Sequence, residues 1–331
     1  MRLKGIFLTT SFFVYSLGIS QDAHHSAPEA PMDLAQVTSP QIKAPCDLKK
    51  ITEGKELPQI KIYGELHSSV ESLNLHESMI HEARSGKAMV GLEGVLYSNP
   101  EGILRDHIRS ITHKEPQIGD QNNFFGIEEE MPYCLSILFK THSEAKKYKN
   151  QSNINGLSGL MLKSKKDLNR YPFMREAFEK FKAQETAQGF PHHSKLFISY
   201  LSNNFFPHNR DSEKNLETQL KEMTQEFPDA LEAFTLSTIE TIKSKKEKAP
   251  QHLPSDVKEI ALNYFKSGND DQVKKTLVLE WRNLLFAQNI LKAYCAALKK
   301  KNPPKSFQVV VGKGHIPGLE NLLKESIQSN H

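Results

Sequence analysis

The sequence predicts an α/β protein: a mostly parallel sheet core with flanking helices and a large helical insertion. Three observations carry that expectation. The short apolar stretches "QIKIYG", "AMVGLEGV" and "NNFFGIEEE" alternate with a helical pattern and a connecting segment, which is the rhythm of a parallel sheet. A fourth apolar stretch, "FQVVVG", returns near the C-terminus after a long helical pattern. Between the third and fourth lies a polar, lysine-rich region whose apolar residues recur at helical spacing. With 331 residues, 38% of them hydrophobic, the chain can build one large domain or two modest ones.

In chain order, residues 1–20 come first. Arg2 and Lys4 precede an uncharged stretch from Gly5 to Ile19, and the small residues Gly18 and Ser20 stand before Gln21. This is the pattern of a secretory signal peptide, and it is shorter than the roughly 20 apolar residues a membrane span requires. Residues 21–56, rich in Ala, Pro, Ser and His, read as a flexible leader. Secreted or periplasmic localisation follows, with no stable membrane anchor after cleavage.

Order is expected to begin at "LPQIKIYGELHSS". Ile60, Ile62 and Tyr63 make a strand that ends at Gly64. "VESLNLHESMIHEARSG" has helical spacing through Val70, Leu73, Met79 and Ile80, and Gly86 stops it. "AMVGLEGV" is a buried strand carrying Glu93, and "NNFFGIEEE" a third strand carrying Glu128, which either lines the pocket or belongs to an acidic run that ends the strand in solvent. "YCLSILFKTH" continues as a helix. Residues 57–144 and 271–331 are thus assigned to the core, and 145–270 to a helical insertion or cap punctuated by Pro191, Pro207, Pro228, Pro250 and Pro254. A long helix from Asp271 to Lys300 repeats Leu277, Trp281, Leu284, Leu285, Leu291, Tyr294 and Leu298 at three- and four-residue steps. The last strand leads to Pro317, which suits the first turn of a closing helix.

Several function classes are excluded. The net charge is +4, with 43 basic residues interspersed among 39 acidic ones, so no nucleic-acid footprint is present. G-x-S-x-G, P-loop and dinucleotide fingerprints are absent. In "HESMIH", His76 and His81 are five residues apart, about 140° around a helix, whereas a zinc-protease helix needs a spacing of four; both read as ordinary surface or core histidines. The three cysteines fit no zinc pattern. An exported chain can form one disulfide, and buried free thiols are expected for Cys134 and Cys295.

One internal echo points to chemistry. Gly64-Glu65-Leu66-His67 and Gly312-Lys313-Gly314-His315 each follow an apolar strand. In an open parallel sheet, ligands bind beyond the carboxyl ends of the strands, so two such histidines emerge at one edge. Glu93, flanked by Gly91 and Gly94 in an apolar strand, needs a partner. His67, Glu93 and His315 make an open set for a divalent ion such as zinc, manganese or cobalt, which acidifies water for attack on a carbonyl. Glu65 is the candidate general base. Without a metal, a histidine held by a carboxylate serves as general base on water. Arg282, with Asn283, interrupts an apolar helix; it is the candidate orienting or oxyanion group.

The stretches "IYGELHSS", "GLEGV", "EWRNLLFAQNI" and "VVVGKGHIPGLENLL" together resemble the superfamily of TraB/PrgY proteins, TIKI proteases, erythromycin esterases and haem-binding ChaN proteins. The resemblance covers about residues 57–135 and 270–328. It implies an α/β core with paired G-x-x-H motifs, here His67 and His315, a strand glutamate, here Glu93, and an arginine-bearing late helix, here Arg282 and Asn283. Trp281 interrupts the usual Glu-Arg-Asn order. What it implies for activity is an exported, divalent-metal-assisted hydrolase cleaving a peptide or other acyl bond. Its alternatives are a haem- or iron-binding protein without turnover, and a metal-independent esterase.

Overall fold

A computed structural model describes residues 42, 44–47, 58–65, 70–98, 115, 117, 119–188, 192–202, 213–245 and 252–328. The expected signal peptide, most of the leader and His67 lie outside the described residues. In chain order the elements are β1 (Gln59–Glu65), α1 (Val70–Arg84), β2 (Ala88–Leu96), β3 (Phe124–Glu128), α2 (Glu130–Asn150), α3 (Ile154–Arg170), α4 (Pro172–Gln188), α5 (His192–Leu201), α6 (Glu213–Ser244), α7 (Val257–Ser267), α8 (Trp281–Leu298), β4 (Ser306–Gly312) and α9 (Ile316–Gln328). Single 3-10 turns stand at Asp120–Asn122 and Lys313–His315, and a π-helical stretch, Val273–Glu280, leads into α8. The protein is an α/β fold. It divides into two compact units, residues 1–128 with 286–331, and residues 129–285.

Among the described residues the first unit holds a four-stranded sheet of order β1-β4-β2-β3, parallel throughout. β4 lies between β1 and β2, and Phe307, Val309, Val310 and Val311 are buried in it. A strand covered on both faces reads as a continuous apolar run, as "FQVVV" does. The edge strand β1 instead exposes Gln59 and Lys61.

Strand alternation assigns the two faces. Tyr63, Val90, Leu92, Phe124 and Val310 pack with Met79, Ile80 and Ala83 of α1, so α1 covers one face. The other face meets α8 and α9. Tyr294 of α8 lies edge-on to Phe307, ring centroids 4.8 Å apart. Its hydroxyl donates to the Pro58 carbonyl at 2.9 Å. α1 ends as its sequence predicts: Gly86 adopts φ 71°, and the Gly86 and Lys87 N–H groups donate to the Ala83 and Glu82 carbonyls, a left-handed glycine stop.

Cys46 and Cys295 form a disulfide. This corrects the expectation that Cys295 is a free thiol, because partner choice follows from the fold and not from spacing. Cys134 is a buried cysteine outside the disulfide.

The second unit is helical. Phe178, Phe181, Phe197, Phe227 and Phe234, from α4, α5 and α6, form a continuous ring cluster. α2 belongs here: Phe139 packs on Tyr264 and Phe265 of α7. The unit therefore begins at Glu129 and runs to Leu285, wider than the insertion read from the sequence at 145–270. Among the described residues, no helix is long and apolar enough to cross a membrane.

Candidate functional site

The site is built where β1, β4 and β2 end. β4 closes at Gly312 and turns at once through Lys313–His315 into α9. That turn rests on the end of β1. A side chain at Gly64 would put its Cβ 2.3 Å from Ile316 Cδ1 and 3.0 Å from Lys313 Cγ, so glycine permits the close approach. His315 is buried, its ring 5.1 Å from that of Phe286.

Glu93 reaches this turn through an irregular stretch of β2. Regular pairing with β4 ends at Leu92 and Val310. Between Leu92 and Leu96, β2 carries more residues than β3 does between Gly126 and Glu128, which is a bulge. Gly94 adopts φ 77°, a conformation that favours glycine. Bulges re-aim side chains, and this one delivers Glu93. The Gly312 N–H donates to Glu93 Oε2 at 2.7 Å, so a carboxylate replaces the strand's own carbonyl in the ladder. Glu93 Oε1 then lies 3.5 Å from His315 Nε2, with the histidine side chain 5% exposed and the carboxylate 18%.

That spacing bears on metal binding. Two ligands bonded at zinc–nitrogen and zinc–oxygen lengths in a tetrahedron stand about 3.4 Å apart. The Oε1–Nε2 separation of 3.5 Å matches this. The donor set, one carboxylate oxygen and one imidazole nitrogen, suits zinc or manganese. Glu93 and His315 thus fit two positions of an ion site. Among the described residues no group of three such ligands occurs. The third residue expected from the sequence, His67, lies outside them.

Glu65 is placed at the same edge but is turned differently. Its register partner is Gly312, which puts it beside the residue that holds Glu93. By alternation its side chain shares the face of Tyr63, under α1. There Glu65 Oε2 lies 2.6 Å from His76 Nε2, both side chains about 95% buried. Spacing reads His76 as a surface or core histidine, and the structure makes it a core one. The overlooked signal is that His76, Met79, Ile80 and Ala83 form one helical stripe, so His76 stands on the buried face of α1. Two carboxylate–imidazole pairs therefore flank one sheet edge, on opposite faces.

Glu128 is buried at 1% exposure, so of the two readings open for it, an end in solvent does not hold, while Glu129 and Glu130 are half-buried. The Glu128 carbonyl accepts from the Tyr97 N–H at 2.9 Å. Arg282 and Asn283 are buried in the second unit, where the Arg282 guanidinium lies 5.8 Å from the Tyr133 ring centroid. Comparisons with protein-family profiles, with curated proteins and with solved structures return no match.

Proposed function

We propose that this chain is an exported hydrolase, assisted by one divalent ion, that cleaves a peptide or other acyl bond, in keeping with its resemblance to the TraB and TIKI group. The observation that carries the reading is the Glu93–His315 pair, set at ligand spacing beyond the carboxyl end of a parallel sheet.

In this reading Glu93 Oε1, His315 Nε2 and His67, two residues past Glu65 in the chain, would hold the ion. The bound ion supplies Lewis acidity and lowers the pKa of water. The chain's own residues do the rest. The Gly312 N–H fixes Glu93 Oε2 and so aims Oε1, the kind of outer contact that orients a ligand. Phe286 walls the His315 ring. Gly312 leaves the Glu93–His315 pair uncovered by a side chain: a Cβ there would sit 3.6 Å from Glu93 Oε2 and 3.9 Å from His315 Cδ2. Glu65 ends β1 at the same edge but on the opposite face, held to His76, so as general base it would act across the end of the strand through the oxygen that His76 does not hold, taking a proton from water and passing it to the leaving group. The Cys46–Cys295 disulfide supports an oxidising, exported location.

Metal analysis of the purified chain, followed by peptide and ester panels, tests the proposal. The expected result is one ion per chain and a hydrolysed substrate class, with both lost in His67→Ala and His315→Ala. Hydrolysis retained in either variant would overturn the assignment.

A further inference from the structure

His76 and Glu65 form a buried carboxylate–imidazole pair at the sheet edge, 2.6 Å apart. Burying such groups is costly unless they serve each other, and an apolar pair of similar volume would be as stable. Their place in the fold supplies a reason. Glu65 pairs in register with Gly312. Gly64, just before it, is the surface on which Ile316 and Lys313 rest. The end of β1 is therefore the floor of the turn that presents His315, and the pair pins that floor to α1.

We propose that His76 is a positioning residue: it holds the Glu65 carboxylate and, through the end of β1, the turn that sets His315 against Glu93. The inference rests on the metal reading above but concerns a residue outside its ligand set. His76 is not itself a ligand alongside Glu65. Two ligands sharing an ion stand about 3.4 Å apart, and this contact is 2.6 Å, the distance of a direct ion pair.

Cobalt titration of the full chain, read by visible absorption, tests the proposal with no substrate. The wild type is expected to bind one cobalt ion, and His315→Ala to lose it. His76→Leu is expected to keep the stoichiometry but weaken affinity by about 10- to 100-fold, the usual cost of losing an orienting contact, and to shift the band. His76→Gln, whose amide N–H can still donate to Glu65, is expected to recover most of both. Wild-type affinity and band in a folded His76→Leu would overturn the proposal. Should that variant not fold, His76→Asn, polar but too short to reach, takes its place with the same two outcomes. If the wild type binds no cobalt, the metal reading fails by itself. The positioning role is then read from exchange of the Gly312 amide, the proton donated to Glu93. Faster exchange in the Leu or Asn variant, restored by Gln, supports it, and unchanged exchange refutes it.

Discussion

Gly126→Ala adds one methyl group at a place with no room for it. The new Cβ would lie 2.3 Å from the Val95 carbonyl oxygen and 2.5 Å from that of Leu96. Ordinary contact begins at 3.4 Å, so the bulge of β2 must move away from β3 by about 1 Å. The obstacles are backbone atoms and have no rotamer to change. Overpacking of this kind costs about 1–3 kcal/mol where side chains can yield, and about 3 kcal/mol or more is expected here. The same movement reaches the site. Glu93 opens the bulge, and its contact to the Gly312 N–H is 2.7 Å; lengthened by about 1 Å, it ceases to be a hydrogen bond. Urea unfolding followed by circular dichroism, with Gly312 amide exchange, measures both effects. Gly159→Ala is the control: its Cβ would meet nothing within 4 Å in α3, and a stabilisation of about 0.5–1 kcal/mol is expected. If Gly126→Ala unfolds within about 0.5 kcal/mol of the wild type, the account of the bulge is wrong.

Two further perturbations address the rest of the molecule. His142 is buried at 1% exposure, with its Nδ1 2.8 Å from the Tyr264 hydroxyl, and burial lowers its pKa from 6.5 to about 4. The fold therefore favours the neutral ring: stability is whole above the unfolded value of 6.5 and falls as pH drops through the window from 6.5 to about 4. The loss is roughly 3 kcal/mol. His142→Phe should flatten that part of the profile in denaturation measured from pH 4 to 7, and an unchanged slope would contradict the assignment. Replacing Cys46 and Cys295 together by alanine opens a link across 249 residues and should cost about 2–5 kcal/mol; denaturation insensitive to both this change and added reductant would show that the bond contributes nothing.

The sequence made the strands, α1 and α9 legible because their apolar periods are clean and their stops are glycines and prolines. Strand order was not legible. Nothing in "FQVVV" says that it inserts between β1 and β2, only that both its faces are buried. The histidine-bearing turn after β4 was readable from Gly312 to Pro317, and Glu93 from the cost of a carboxylate in an apolar strand. The bulge that aims Glu93 depends on Gly94 and on the bare backbone of Gly126, which look like ordinary strand glycines until the partner strand is in place. His76 reads as a surface or core histidine from its spacing to His81; that it is a core one follows from its position on the buried stripe of α1. The width of the helical unit escaped the reading because "YCLSILFKTH" is apolar enough to pack in either unit, and contacts such as Phe139 with Phe265 decide between them.

The central claim is that Glu93 and His315 are two ligands of one divalent ion. X-ray absorption of the zinc-titrated full chain tests it most directly. The account predicts one zinc per chain, nitrogen and oxygen donors at about 2.0–2.1 Å, and imidazole scattering that diminishes in His315→Ala. Stoichiometric zinc whose spectrum is unchanged in both Glu93→Ala and His315→Ala, or no stoichiometric zinc at all, would contradict it.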